Sequence, residues 1–497
     1  MAEVDPFRPV DRVERSGRTV GSRQLALLLP DPAGARPAYR HLAQAVSRLI
    51  LDGRIALHVK LPAERELAVA LKTSRATVTA MYDLLRESGY ARSRQGSGTW
   101  TALPEGGTPS GLARALGPPD ATVDLARAAP GLEERLLVDA LARVAPRLAE
   151  HARTPGYHPF GLPELRAAIA ERFTRRGLAT VPEQILVTSG AQHALTLVLG
   201  LLCGPGDRVM AENPSYPNAL DAMRRARLRT VSVPVTETGW DIEIVESTLR
   251  QVVPQLAYLI PDFHNPTGCL MPDHERARVL RAAQRSGTWL VVDETLAELA
   301  LDVPAPAPFA SFAAGAAGGT GQVITVGSMS KTHWGGLRIG WLRAPSQLVT
   351  ELAGQRVVND MGGSVLDQLV ALDLLASADE ILLSRLDDLR AQRAALVAAL
   401  GEHLPHWNWE LPSGGLSLWV DLGEPIATAL AERAMDYGVR IEGGAYFGTD
   451  PGLFEQRLRI PYTTDSDTLR EAVRRMATAL ADGVPASAAV RRPHWVA

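Results

Sequence analysis

Apolar positions along the chain change their period near residue 100. From Tyr39 to Leu51 they recur at Leu42, Val46, Leu49 and Ile50, the spacing of an amphipathic helix. A second helix is predicted from Pro62, with Glu64 and Glu66 at its positive end and Leu67, Ala70 and Leu71 facing inward. Lys72-Thr73 is a tight connection, and Ser74 suits the N-cap of a third helix over Arg75–Glu87. Its inner face is Val78, Met81, Tyr82 and Leu85, which leaves Arg75, Ala76, Thr77 and Thr79 at the outer, N-terminal end. Tyr90–Arg94 then alternates like a strand, Gln95-Gly-Ser-Gly98 turns, and Thr99–Thr101 returns as the second arm of a hairpin.

Farther on, short apolar runs alternate with helical patterns. Runs at Gln184–Thr188, Arg208–Ala211, Leu256–Ile260, Trp289–Val292 and Val323–Val326 predict a mostly parallel sheet covered on both faces. Each run ends in polar or small residues: Ser189-Gly-Ala-Gln192, Glu212-Asn-Pro-Ser-Tyr-Pro217, Pro261–Gly268, Asp293-Glu294 and Gly327-Ser-Met-Ser-Lys331. Ligands bind beyond the carboxyl ends of strands in such sheets. Between the two regions, Leu103–Gly111 and Gly117-Pro-Pro-Asp120 are dense in turn residues. The expected layout is therefore an arm at 1–21, a mainly α module at 22–101, a linker at 102–122 and an α/β domain at 123–497. A smaller α+β subdomain is expected at about 375–485.

Charge sharpens this division. Residues 1–101 carry net +6 and the remainder net −9, so a polyanionic partner is expected for the first module alone. Two cysteines, Cys203 and Cys269, exclude a disulfide framework and a cysteine-built zinc site. The apolar runs are too short to span a membrane, and the first residues lack a signal-peptide pattern, so a cytoplasmic protein is expected. Lysine is scarce: only Lys60, Lys72 and Lys331 are present, against 49 arginines. Arginine keeps the charge but not the amine chemistry, which makes Lys331, the sole lysine of the large domain, a candidate nucleophile.

Two helices joined by a short turn, the second led by Arg75 and hydroxyls, have helix-turn-helix geometry, and the hairpin is a wing. Leu61-Pro-Ala-Glu-Arg-Glu-Leu-Ala68, Ser74-Arg-Ala-Thr-Val78 and Arg94-Gln-Gly-Ser-Gly-Thr99 resemble the winged helix of GntR-family transcription regulators over about 36–101. The resemblance implies DNA contacts by Arg65, Ser74, Arg75, Thr77 and Gly96. Ala76 and Thr79 stand where some members carry larger polar residues.

In the large domain, an amine at Lys331, an acid at Asp293 and a phosphate clamp from Ser328 and Arg338 form the set a pyridine-aldehyde cofactor needs. Tyr157–Arg166, Ser189–Gln192, Asn265-Pro-Thr-Gly268, Asp293 and Ser328–Gly340 resemble fold-type I pyridoxal-phosphate aminotransferases over about 123–480. The resemblance implies pyridoxal 5'-phosphate held as an aldimine on Lys331, with Asp293 at the pyridine nitrogen and Asn265 at the ring hydroxyl. It implies Gly190, Ala191, Gln192, Ser328 and Arg338 around the phosphate, Tyr216 stacked on the ring and Tyr157 reaching the neighbouring subunit's phosphate. Arg459 matches the arginine that grips an amino acid carboxylate. Thr295 departs from the tyrosine that many relatives carry two residues after the ring aspartate. The contact with the ring hydroxyl is then shorter, missing or made by water.

The two modules together resemble the MocR subfamily of bacterial regulators. That implies a homodimeric, DNA-binding transcription factor, without membrane association, that senses an amino compound or the cofactor itself. The competing expectation is a working aminotransferase whose DNA-binding module is secondary.

Overall fold

A computed structural model describes residues 19–31, 37–94, 98–103, 123–313, 321–450 and 452–483. Gly96 and most of the expected linker lie outside the described residues. The chain divides into two units, Met1–Gly106 and Gly107–Ala497.

The first unit contains helices α1 (Ser22–Leu28), α2 (Ala38–Leu51), α3 (Glu64–Ala70) and α4 (Arg75–Glu87), then strands β1 (Ala91–Arg94) and β2 (Gly98–Thr101). Leu42, Val46, Leu49 and Ile50 of α2 meet Leu67 of α3 and Val78, Met81, Tyr82 and Leu85 of α4 in one apolar core. The stripes of α2 and α4 are buried as their spacing predicts, whereas in α3 it is Ala68, and not the expected Ala70, that joins Leu67 and Leu71 in the core. The hairpin strands each shift by one residue at one end, to Ala91 and Gly98, and the start of the second helix also differs. Helix α3 starts at Glu64, two residues after Pro62, because Ala63 remains extended and the Pro62 carbonyl accepts a hydrogen bond from the buried Tyr82 hydroxyl at 2.8 Å. In the wing, β1 pairs antiparallel with β2 from Ala91↔Thr101 to Arg94↔Gly98. Lys60 bridges Trp100 on the outer side.

The second unit is built on an eight-stranded sheet. Its spatial order is β4 (Ile185–Thr188), β11 (Gly340–Arg343), β10 (Val323–Ser328), β9 (Trp289–Asp293), β8 (Leu256–Leu259), β5 (Arg208–Asn213), β6 (Arg229–Thr236) and β7 (Gly239–Trp240). The run from β10 to β6 is parallel, and its central strands are mostly buried and apolar, with polar Asp293 and Ser328 at the ends of β9 and β10. Strand β11 is antiparallel to both β4 and β10. Hence β4 runs in the same direction as β10, and the carboxyl ends of β4, β5, β8, β9 and β10 share one edge. Two apolar clusters include residues of this sheet, one with Val187, Met210, Leu259 and Leu290, the other with Leu186, Val209, Tyr258 and Val291. Side chains alternate along a strand, so neighbouring residues supply opposite faces.

The smaller layer is an antiparallel sheet ordered β12 (Asn408–Trp409), β13 (Ser417–Asp421), β16 (Arg457–Pro461) and β15 (Glu442–Gly443). Helices Ala378–His403, Ala427–Asp436 and Ser466–Ala481 contribute to its core. The start of the unit joins this layer as well: β3 (Val123–Asp124) pairs in parallel with β14 (Val439–Arg440), and Leu125 and Ala128 enter the same core. Residues 123–131 therefore form a strap at the boundary of the two layers.

Candidate functional site

In the first unit, the candidate nucleic-acid surface is the start of α4. Ser74 caps the helix, its Oγ accepting the Thr77 N–H at 3.0 Å and lying 2.8 Å from Thr77 Oγ1. Arg75 follows with its side chain 73% exposed, steered by Glu64, whose Oε2 accepts from Arg75 Nε at 3.4 Å and from Thr79 Oγ1 at 2.9 Å. Arg65 is exposed on α3. Glu64 was not singled out from the sequence as an orienting group, although an acid facing two donors across a helix pair has that geometry.

In the second unit, the carboxyl edge of the sheet opens into a cavity of about 650 Å³. Gly190, Ala191, Gln192, Tyr216, Asn265, Asp293, Ser328, Lys331 and Arg338 all line it, so residues spread over 149 positions converge in one place. Tyr157 and Arg459 do not line it. Tyr157 is 64% exposed, and Arg459 is fully buried behind the strap.

Each lining group has a local cause. Gly190 precedes helix Ala191–Leu202 with φ +89°, and a Cβ there would stand 2.7 Å from Arg338 Nη2. Glycine thus lets a helix N-terminus and a guanidinium close on the same point, a geometry suited to an anion. Arg338 donates to the Ser189 carbonyl at 2.7 Å. Ser328, at the end of β10, has its Oγ 3.0 Å from both the Ile339 carbonyl and Ser330 Oγ. Gln192 Nε2 donates to the Asn218 carbonyl at 3.1 Å, and Asn218 Nδ2 donates to the Tyr216 hydroxyl at 2.8 Å. Burial pushes the Tyr216 phenol up to about 12. The turn carrying Asn265 is anchored by buried Glu212, which accepts from the Ile260 N–H at 2.8 Å and from Trp240 Nε1 at 2.7 Å.

Lys331 lies in a π-turn, Ser330–Trp334, directly after β10. Its Nζ donates to the Ala128 carbonyl of the strap at 2.9 Å. Burial, together with Arg459 and Arg338, pulls the amine down to about 8, against the pull of Asp293. Asp293 closes β9: its Oδ2 accepts from the Tyr258 hydroxyl at 2.7 Å and its Oδ1 from the Thr295 N–H at 3.0 Å. Thr295 also lines the cavity.

Arg459, on β16, donates through Nη2 to the Ala126 carbonyl, and its Nη1 is 3.5 Å from Asn265 Oδ1. Among the described residues its Nε has no hydrogen-bond partner, and buried Glu442 stands opposite it on β15. Burial lowers its pKa to about 10. The guanidinium lies 4.9 Å from the centre of the Phe447 ring, and the Glu442 and Asp124 charges offset part of the cost of its burial.

These residues fit pyridoxal phosphate by the chemistry of the donor set. There is a depressed amine, a carboxylate anchored on both oxygens, a glycine-cleared cradle at a helix N-terminus, and a buried guanidinium beside Asn265. The sequence matches the family Aminotransferase class I and II over residues 122–476 and the bacterial regulatory proteins of the gntR family over 38–100. It is 33% identical over 411 residues to the probable rhizopine catabolism regulatory protein MocR of Rhizobium meliloti, covering 77% of this chain and 80% of that one. The chain belongs to the MocR-type regulators of the GntR family. Like other MocR-type chains it joins a DNA-binding helix-turn-helix to an aminotransferase-fold domain, and it is a transcriptional regulator. The fold domain is 33% identical to 2-aminoadipate transaminase of Thermus thermophilus, covering 67% of this chain and 81% of that enzyme. It also superposes on the crystal structure of LysN, the α-aminoadipate aminotransferase of Thermus thermophilus complexed with N-(5'-phosphopyridoxyl)-L-leucine. The TM-score there is 0.68, with 30% identity over 73% of this chain and 93% of that one.

Two features of this MocR-type site were not found from the sequence. The backbone carbonyls of Ala126 and Ala128 carry no side-chain signal and arrive from more than 200 residues away. Tyr258 did leave a signal: a phenol in an otherwise apolar, fully buried strand needs a partner for its hydroxyl.

Proposed function

We propose that the large unit holds pyridoxal 5'-phosphate on Lys331, and that an amino compound entering this site changes the affinity of the winged helix for its DNA operator. The observation that carries the reading is a single depressed amine in a cavity with a fixed carboxylate, Asp293, and an anion cradle at Gly190 and Arg338. When bound, the cofactor supplies an aldehyde for amines and a ring that withdraws electrons from them. Lys331 supplies the neutral nitrogen that such a link requires. Asp293 meets the ring nitrogen, and Asn265 faces the ring hydroxyl beside Thr295. Tyr216 covers the ring. Gly190, Ala191, Gln192, Ser328 and Arg338 hold the phosphate, and Arg459 holds the carboxylate of an amino acid.

The assembly in this reading is a homodimer. Tyr157, exposed and outside its own cavity wall, is assigned to the phosphate of the neighbouring subunit. On the DNA side, Arg75 and Arg65 supply charge, while Ser74 and Thr77 present hydroxyls at the N-terminus of α4. A ligand acts as a switch only through unequal affinity for two states of the protein. Operator binding at fixed salt, measured with and without cofactor and a panel of amines, tests this. An effective amine should change wild-type affinity by about 5- to 150-fold and leave Lys331→Ala unchanged. Equal responses of the two proteins would contradict the reading. Rapid multiple turnover of amino donors and 2-oxo acids, indifferent to DNA, would favour the aminotransferase reading that the complete donor set also supports.

A further inference from the structure

We propose that Tyr258 is a positioning residue for the cofactor: its hydroxyl fixes Asp293 in the plane in which the carboxylate meets the ring nitrogen. The inference rests on the assignment of Asp293 to that nitrogen and adds the group that orients it.

Strands β8 and β9 are parallel neighbours with Tyr258 opposite Val291. Asp293 is two residues beyond Val291, so it emerges on the same face as Tyr258, within reach of a long aromatic side chain. The Tyr258 hydroxyl spans that diagonal and donates to Asp293 Oδ2 at 2.7 Å. The second oxygen, Oδ1, accepts the Thr295 N–H at 3.0 Å. Two donors on the two oxygens define the carboxylate plane, whereas the backbone bond alone leaves it free to rotate about Cβ–Cγ. Tyr258 is itself immobilised, since it is almost fully buried in an apolar cluster with Val209, Ile260 and Val291. Burial and the neighbouring Asp293 push its phenol well above the ordinary tyrosine value. The hydroxyl therefore keeps its proton and remains a donor throughout the working pH range. Tyr258 lines no part of the cavity, so it acts through Asp293 and not on the cofactor.

Tyr258→Phe removes the hydroxyl and little else. The test follows the bound cofactor's visible absorbance against pH, and its rate of loss on dialysis, in wild type, Tyr258→Phe, Asp293→Asn and the double variant. Tyr258→Phe should move the absorbance midpoint by about half a pH unit in the direction Asp293→Asn moves it, and speed cofactor loss several-fold. In the Asp293→Asn background the same substitution should add nothing, because its route of action is already cut. A Tyr258→Phe protein that titrates and retains cofactor like wild type overturns the proposal. So does an equal shift in both backgrounds, which marks a packing role. If Asp293→Asn itself changes neither readout, the assignment of Asp293 fails, and the role of Tyr258 fails with it.

Discussion

The chain presents two arginines in opposite settings, and the contrast separates its two kinds of recognition. Arg75 stands at the tip of α4 with most of its side chain in water and a partial counter-charge from Glu64 at 3.4 Å. In the proposed reading its contribution would be long-range attraction to phosphates, which salt screens. Arg459 is wholly buried, bonded to a backbone carbonyl and faced across the sheet by Glu442. Its energy lies in a charge already stripped of water, for which a ligand carboxylate is a direct complement. The first site therefore suits adjustable binding to a polyanion, the second a small ligand held at a fixed place.

The predictions that test this contrast run from large effects to small. Lys331→Ala should abolish covalent retention of pyridoxal phosphate after gel filtration, since Lys60 and Lys72 belong to the other unit. Arg459→Ala should raise the concentration of amino acid needed to perturb the cofactor absorbance by on the order of 100-fold, as loss of charge-assisted bonds in a buried site implies. A simple amine without a carboxylate should be affected far less. Equal losses for both ligands would break the assignment.

Arg75→Ala should weaken operator binding about equally across DNA sequences and reduce the slope of log affinity against log salt by about one. Arg459→Ala should leave that slope unchanged in the absence of ligand. The pH dependence follows from the amine near 8: covalent attachment needs the neutral form, so its rate should rise through about pH 8 and level off above it. Because Arg459 lowers the Lys331 value, Arg459→Ala should carry that midpoint to higher pH. Smallest of all, Ser74→Ala should cost about 1 kcal/mol of stability in the first unit, read by thermal unfolding, through loss of its cap to Thr77.

Much of this architecture was legible because it is local. Ser74 and the spacing of Val78, Met81, Tyr82 and Leu85 define α4 over Arg75–Glu87, and the apolar runs before Gly190, Asn265, Asp293 and Lys331 locate the sheet edge. What escaped is non-local. Antiparallel β11 sits between β4 and β10 although it follows both in the chain, and nothing in Gly340–Arg343 announces that insertion. The pairing of Val123–Asp124 with Val439–Arg440 joins segments more than 300 residues apart through backbone bonds. The strap's hold on Lys331 and Arg459 is likewise made by carbonyls, which every residue possesses. The burial of Arg459 was equally invisible, since its neighbours in Arg457-Leu-Arg-Ile460 are compatible with either face of a strand.

The scarcity of lysine makes the central claim directly measurable. Incubating the protein with pyridoxal 5'-phosphate, reducing with borohydride and mapping the peptides by mass spectrometry distinguishes the three lysines from one another and from the terminal α-amine. A phosphopyridoxyl addition is expected on Lys331 alone, near one per chain. An addition on Lys60 or Lys72 instead, or none on Lys331, would contradict it.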